Sequence, residues 1–489
     1  MQQLNDLYVS GLEISQVYPL FCVLAGALVV LLVSAFYPRP KMWLCGALSV
    51  AFLAADLYFV LSNTGAIYAP KQSFFGLVFV SGVAYLAQIL ILLSSVFFIL
   101  LSLTQNSTKE FQRGEYYAIW LFVIAGLQCM VSSTNIVVIL LGLEISSLGV
   151  YGLIALSGGK NSTEAAIKYF TMGAYASAFF VFGAAFLYLG IGSLDLLVLK
   201  SYSIHTTIGF VLMFCGLGVK LSAVPFHTWT PDAYEGSNAI MAGFMSIAPK
   251  IAAFVVVFYL FNLTSKPAIE LSDQSRFPEV LLFIIAVLTM SVPNLLALVQ
   301  KDVKRMLGYS SISHAGFLLS GVLIGGLEGL SSLFAYWVWF MFANIGAFGM
   351  LWLLRDSKDT QDYAISRFSG LAHRSLISAV SLGIFMFALA GIPPLSVFWG
   401  KFILIKLSID SGYSALAIIM AINSTIAAFY YLRVVVASFL HDSTQHTLSP
   451  QKSVFGVAIV AICVFYVSLC ALMAQNLLDS IQWCVLLYQ

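Results

Sequence analysis

Only 9% of the 489 residues are charged, and the net charge is +2. So little charge leaves no basic surface for nucleic acid. The chain has no CxxC pair and no Cys/His cluster. Its seven cysteines, Cys22, Cys45, Cys129, Cys215, Cys463, Cys470 and Cys484, lie almost wholly in apolar runs, where a thiol serves as a small hydrophobe. Walker A, dinucleotide, haem, zinc and iron–sulfur patterns are missing too, so the sequence shows no redox or nucleotide chemistry of its own. The start "MQQLNDLYVSGLEISQ" has no basic segment before the first apolar run, which argues against a cleaved signal peptide. Short alternating segments of the β-barrel kind are also missing.

What is abundant is apolar sequence: 61% of residues are hydrophobic and the mean hydropathy is +0.96. A spanning helix needs about 20 predominantly apolar residues. Runs of that length recur along the chain and predict an all-α polytopic membrane protein of about fourteen spans. They centre on 17–36, 43–62, 77–103, 116–133, 135–157, 165–191, 207–224, 239–262, 278–299, 304–325, 329–354, 376–406, 413–440 and 453–476.

Loop charge orients them. Odd-numbered connections hold Arg39, Lys41, Lys109, Arg113, Lys160, Lys168, Lys301, Lys304, Arg305, Arg355, Lys358, Arg367, Arg374 and Lys452, against Lys71, Lys200, Lys266 and Arg276 in even-numbered ones. Cytoplasmic connections carry the excess of Lys and Arg, so both termini are expected on the opposite, periplasmic side.

A repeat lies within this pattern. "LLGLEISS" at 140 aligns with "MLGYSSIS" at 306, and "FGAAFL" at 182 with "FGMLWL" at 348, both at an offset of 166; Tyr169 pairs with Tyr336, and Pro225 with Pro393, at nearly the same offset. The implied organisation is an N-terminal three-helix segment over 1–110, a five-helix unit over 111–265, a second over 266–442, and a last helix over 443–489. An odd unit inverts its orientation in the membrane, the plan of secondary transporters with one interrupted helix per copy. Proline lacks an N–H and clashes with the carbonyl four residues back. Pro225 is thus expected to free the carbonyl of Leu221, and Pro393 and Pro394 those of Leu389 and Ala390. Unpaired backbone in hydrocarbon must be buried or wet, so both breaks are expected to point inward.

Four ionisable residues fall deep in apolar runs: Glu144, Lys220, Lys250 and Lys401. Each costs roughly 2.5–3.5 kcal/mol at a helix centre if unpaired. Glu144 shares a helical face with Ser147 and Tyr151, which predicts an inward polar face and a carboxylate that tunes Lys220. A structural Glu–Lys clamp is the plainer reading. Buried lysines change charge readily and suit a proton relay. His227 and His314 titrate near neutrality; His314 follows Ser310 and Ser311 by one turn, though a lone membrane histidine can equally be a hydrogen-bonded core residue.

"LLGLEISSLGVYGL", "EAAIKYF", "GLGVKLSAVPFHTWTPDAYEG", "KRMLGYSSISHAGFLL" and "LAGIPPLSVFWGKF" resemble the antiporter-like membrane subunits of respiratory complex I, the proton-pumping NADH:quinone oxidoreductase, from about residue 70 to 440. "GLEISSL" and "GYSSISH" favour subunit N over its sisters L and M. The resemblance implies that Glu144, Lys220, Lys250 and Lys401 are the charges through which protons move, and that the chain itself holds no cofactor. Flavin, iron–sulfur clusters and quinone would belong to partner subunits. Expected partners are the other membrane subunits, above all subunit M and the small subunits on the other flank, with the bilayer, internal water and protons. The bacterial inner membrane is the implied location. One departure is "SNAIMAGF" after "PDAYEG", where the family usually has a proline, which leaves the approach to Lys250 less rigid. A cation/proton antiporter sharing the ancestral fold and a purely structural scaffold are the competing readings. For the topology, a cysteine added after Gln489 should react with a membrane-impermeant label in intact spheroplasts; reaction only after permeabilisation would reverse it.

Overall fold

The computed structural model describes residues 14–37, 42–65, 70–104, 111, 113–197, 203–264, 276–354, 362–442, 448–451 and 453–486. Both termini, and Arg39, Lys41, Lys109, Lys200, Lys266, Arg355, Lys358 and Lys452 from the orientation argument, lie outside the described residues.

Among the described residues thirteen helices are long and apolar enough to cross a membrane. In chain order, with the pieces of the broken spans labelled separately, they begin with α1 (Tyr18–Phe36), α2 (Met42–Ser62), α3 (Gly82–Ser102), α4 (Gly114–Val131), α5 (Ile136–Leu156) and α6 (Lys160–Ile191). Then come α7 (Ile204–Leu221), the short α8 (Trp229–Gly236), α9 (Ala239–Thr264), α10 (Phe277–Leu298), α11 (Val303–Ile324) and α12 (Gly326–Leu353). The expected twelfth span is two 15-residue pieces, α13 (Leu376–Ala390) and α14 (Ser396–Asp410). After α15 (Ser414–Leu440), the last span runs as α16 (Val454–Leu469) and α17 (Ala474–Val485). Joining α13 and α14 as one broken span brings the thirteen among the described residues to fourteen, against about fourteen expected.

Local signals set the ends. Asn135 opens α5 by accepting from Val137 N (3.0 Å), Ser203 and Thr206 form a reciprocal cap on α7, and the Asp302 side chain accepts from Arg305 N (2.8 Å) to open α11. The third span starts later than its apolar run suggests. Lys71–Ser73 and Val78–Val80 pair antiparallel, Phe79 N donates to Ser132 O (2.8 Å), and Ser81 then caps α3. β-branched and aromatic residues in "LVFV" read as span by hydropathy alone, but the turn at residues 74–77 folds them into a hairpin.

The centre is formed by α9, α11 and α12. In their most apolar stretches 94%, 94% and 89% of residues are buried inside the protein, against 28% for α1 and α6. Two helices approach without side chains between them: a Cβ added to Gly142 on α5 would lie 2.5 Å from Gly126 O on α4, and one added to Gly126 2.7 Å from Gly142 O. Small residues of this kind let membrane helices pack backbone to backbone.

Three expectations need correction. Lys168, Lys304 and Arg305 are not loop residues: Lys168 is in α6, and Lys304, fully buried with Nζ 2.6 Å from Ser237 O, shares the first turn of α11 with Arg305. Nor do the breaks point inward. Pro225, Pro393 and Pro394 are exposed at the edge of the chain, because a proline ring is apolar and carries no N–H to hide. Only the freed carbonyls need shelter. At the first break the carbonyl that finds a partner is Val219's, which accepts from Trp229 Nε1 (2.9 Å), rather than that of Leu221. At the second, the carbonyls of Leu389 and Ala390 are those freed, as expected, and both accept from Lys401 Nζ.

Gly142→Ala should push α5 from α4 at a cost of about 1–3 kcal/mol, seen as a lower yield of assembled complex on native gels. Wild-type yield would mean the helices have room.

Candidate proton-transfer site

Three lysines and one histidine proposed from the sequence are buried, with Lys220 6%, Lys250 1%, Lys401 4% and His314 4% exposed. Each meets a different solution to desolvation.

Lys220 ends α7 in an aromatic cage. Its Nζ donates to Tyr151 Oη (2.9 Å) and sits 5.1 Å and 4.9 Å from the ring centroids of Tyr151 and Tyr169. Ring faces attract an ammonium, more so when water is excluded. Tyr169 in turn stacks on Trp229 at 3.7 Å with planes 1° apart, so the tryptophan that closes the helix break also backs the cage. Tyr151 reaches across α6 only because residue 173 is glycine: a Cβ there would lie 1.7 Å from the tyrosine oxygen.

Glu144 does not pair with Lys220. It is half-buried, accepts a hydrogen bond from Ser177 Oγ on α6, and is flanked on its own helix by exposed Leu141, Ile145 and Leu148. Residues 144 and 151 do share one face, but that face packs along α6, with Glu144 at Ser177 and Tyr151 at Gly173. Only the longer tyrosine extends to the ammonium.

Beside Lys220 lies a cavity of about 10 Å³, lined by Ser146, Ser147, Tyr169 and Pro249, about the space of one water. Pro249 sits inside α9 and directly precedes Lys250. At the start of α9, where the sequence lacks the expected proline, Asn238 Oδ1 accepts from Met241 N (2.8 Å).

Lys250 Nζ donates to Ser311 Oγ (2.8 Å) and Ser311 O (2.9 Å) on α11, and Tyr234 Oη of α8 is 3.3 Å from the same hydroxyl. The neighbouring Ser310 bonds to Tyr431 Oη of α15. Tyr431 is 3.3 Å from His314 Nε2, and His314 Nδ1 is 2.7 Å from Tyr336 Oη of α12. His314 is therefore clasped by two tyrosines, and the charges within its electrostatic reach are Lys401 and Lys250. Lys401 rests on the carbonyls of Ala390 (2.8 Å) and Leu389 (3.3 Å), with Nζ 5.1 Å from the Phe317 ring.

His227 stands apart. It lies half-buried within the first break, and among the described residues no hydrogen bond joins it to Lys220 or Lys250. The polar side of α8 is instead fastened by ion pairs: Lys168 Nζ meets Asp232 and Glu164 (each 2.7 Å), and Arg305 Nη1 meets Asp232 (2.7 Å) and Glu235 (2.6 Å). They surround a polar cleft of about 220 Å³.

Sequence reasoning missed Tyr431, Tyr234 and Gly173. A tyrosine in an apolar run carries no hydropathy penalty to flag it, although Tyr336 was marked by its pairing with Tyr169. All seven cysteines are free, and among the described residues no cluster of three or more His, Cys, Asp and Glu side chains is placed to hold a metal ion.

The family described as "NADH:quinone oxidoreductase/Mrp antiporter, TM" matches residues 133–427. Proteins named NADH-quinone oxidoreductase subunit N are similar over nearly the whole chain. That of Helicobacter hepaticus is 43% identical over 99% of both chains, and that of Campylobacter hominis is 42% identical over 96% of this chain and 97% of its own. Among solved structures, a chain of respiratory complex I from Thermus thermophilus superposes with a TM-score of 0.82 at 27% identity, covering 95% of this chain and 99% of that one. A chain of the Mrp complex from Dietzia shares the fold at a TM-score of 0.84 and 19% identity, each chain covered to 98%. On the family match over residues 133–427 and these near-full-length relatives, the chain belongs to the NADH-quinone oxidoreductase subunit N family.

Proposed function

We propose that this chain translocates protons within the membrane arm of an NADH-quinone oxidoreductase, while quinone is reduced in other subunits. It takes no part in the redox step: flavin, iron–sulfur clusters and quinone belong to its partners, and it sits between subunit M and the small subunits on its other flank. The chain lies in a bacterial inner membrane with its termini on the periplasmic side.

The observation that carries this reading is the polar line through the most buried helices: Lys250 to Ser311, and beside it Ser310 to Tyr431 to His314 to Tyr336. Hydroxyls and imidazole both donate and accept, so each can receive a proton on one side and release one on the other. Lys250 at one end of the line, and Lys401 near its other end on the carbonyls of Leu389 and Ala390, are the groups that change charge. Like charges repel strongly where water is scarce, so a proton arriving at Lys250 favours release from His314 or Lys401. Lys220, with its water-sized cavity, feeds this line. Glu144, at the edge of the bundle, faces the neighbouring small subunits and acts on Lys220 through α6 and Tyr151. His227 serves exchange at the first break. Pro225, Pro393 and Pro394 let both broken spans bend.

Residues 111–265 and 266–442 form two five-helix units of opposite orientation, between the segments 1–110 and 443–489. Supporting this, Asn135 caps α5 and bridges Asp195, while Asp302, 167 residues later, caps α11 and bridges Ala364. Likewise each break has a lysine over a ring, Lys220 before Pro225 at Tyr151 and Lys401 after Pro394 at Phe317 (both 5.1 Å), and the two rings are 166 residues apart.

Lys220→Ala should lower NADH-driven pumping in vesicles by about tenfold or more while assembly persists. Lys220→Arg should rescue poorly, since a guanidinium does not unload its proton. Tyr151→Phe should add little to the loss once Lys220 is gone, whereas Glu144→Gln should couple more weakly to it. Full pumping by Lys220→Arg, or fully additive losses for Tyr151 and Lys220, would sink the switching role.

A further inference from the structure

Another ionisable residue lies inside the membrane, away from the line above. Asp56 of α2 is 0% exposed, and its Oδ2 accepts from Gln128 Nε2 of α4 at 2.6 Å. Gln128 is itself 1% exposed. The other oxygen of each group, Asp56 Oδ1 and Gln128 Oε1, is buried and finds no hydrogen-bond donor. Among the described residues no cation forms an ion pair with Asp56. From α1 the thiol of Cys22 is the titratable group in its electrostatic reach, and it brings no positive charge.

Two buried acceptors without a donor, on two groups already joined by a short hydrogen bond, need one more hydrogen. Exchanging the amide oxygen and nitrogen of Gln128 does not supply it, because that places oxygen against oxygen. A proton on Asp56 does: the carboxyl O–H points at Gln128 Oε1, and the pair closes with two parallel hydrogen bonds. The same proton removes a charge that has no counterion in a medium that penalises one.

A neutral amide pair in the second half of the chain shows how such a contact is fully satisfied. Asn294 on α10, 166 residues after Gln128, donates to Asn423 Oδ1 on α15 at 3.1 Å. There every amide atom is used: Asn423 Nδ2 donates to Ser291 Oγ and Ile419 O (both 3.0 Å), and Asn294 Oδ1 accepts from Tyr430 Oη (3.1 Å). That pair is neutral and complete. Among the described residues no outside donor plays the part of Tyr430 at the Asp56–Gln128 pair, so its missing hydrogen has to come from within the pair.

We propose that Asp56 is a proton-binding site in the N-terminal segment, a neutral carboxylic acid locked to Gln128 as a two-bond acid–amide pair that fastens α2 to α4. The bound proton is held rather than passed on, and α4 is the helix that meets α5, bearer of Tyr151, backbone to backbone.

The test is an infrared difference spectrum between the wild-type complex and the complex carrying Asp56→Asn. Unchanged carboxyl groups cancel. The pair predicts that the spectrum loses the C=O stretch of one protonated carboxylic acid, and that Asp56→Asn assembles at wild-type yield, because a neutral amide supplies the same donor and acceptor. Asp56→Ala, which strands both polar atoms of Gln128, should assemble poorly. Loss of the two stretches of an ionised carboxylate instead would overturn the proposal. So would failure of Asp56→Asn to assemble, since an uncharged isostere must be tolerated where the native group is uncharged.

Discussion

A bilayer interior makes an ammonium group and an unpaired backbone carbonyl costly for the same reason, the lack of water to solvate either, and at Lys401 the two solve each other. Pro393 and Pro394 end α13 and strand the carbonyls of Leu389 and Ala390; the lysine one turn into α14 lays its Nζ on both. The charge is held without a carboxylate. A fixed counterion would trap the ammonium form, whereas neutral carbonyls stabilise it without adding an opposite charge, which leaves the proton able to depart.

The other lysines follow the same constraint with different materials. Lys220 takes two aromatic faces and a phenol, and Lys250 a serine hydroxyl and its carbonyl. None of the three has an acid in ion-pair contact among the described residues, while Lys168 and Arg305, at the polar end of α8, have two each. Carboxylates hold the charges at the polar end of α8, and neutral dipoles hold those of the buried lysines.

Much of this was legible from composition and spacing. Apolar runs gave the fourteen spans, and proline chemistry gave both breaks together with the carbonyls that meet Lys401. Buried charge in long apolar runs gave Lys220, Lys250 and Lys401, and the serine stripe marked the face of α11 where Ser310, Ser311 and His314 meet Tyr431 and Lys250. What was not legible depends on contacts between distant segments. Helical spacing placed Glu144 and Tyr151 on one face but could not tell that the face packs along α6. Gly173 gives no sign that it clears a path for a tyrosine oxygen. Asp56 was overlooked because one acid in "AFLAADLYFVLS" hardly alters the hydropathy of its span, and its partner lies 72 residues away.

The central claim is that the line through α9, α11 and α15 conducts protons. The most direct measurement is the number of protons moved per electron pair by the complex in proteoliposomes, with His314 replaced by phenylalanine to keep the ring and remove both nitrogens. The variant complex is expected to assemble, keep oxidising NADH, and move fewer protons for each electron pair. An unchanged ratio would contradict the claim, and His314 would then be a packed, hydrogen-bonded core residue with no place on the proton path.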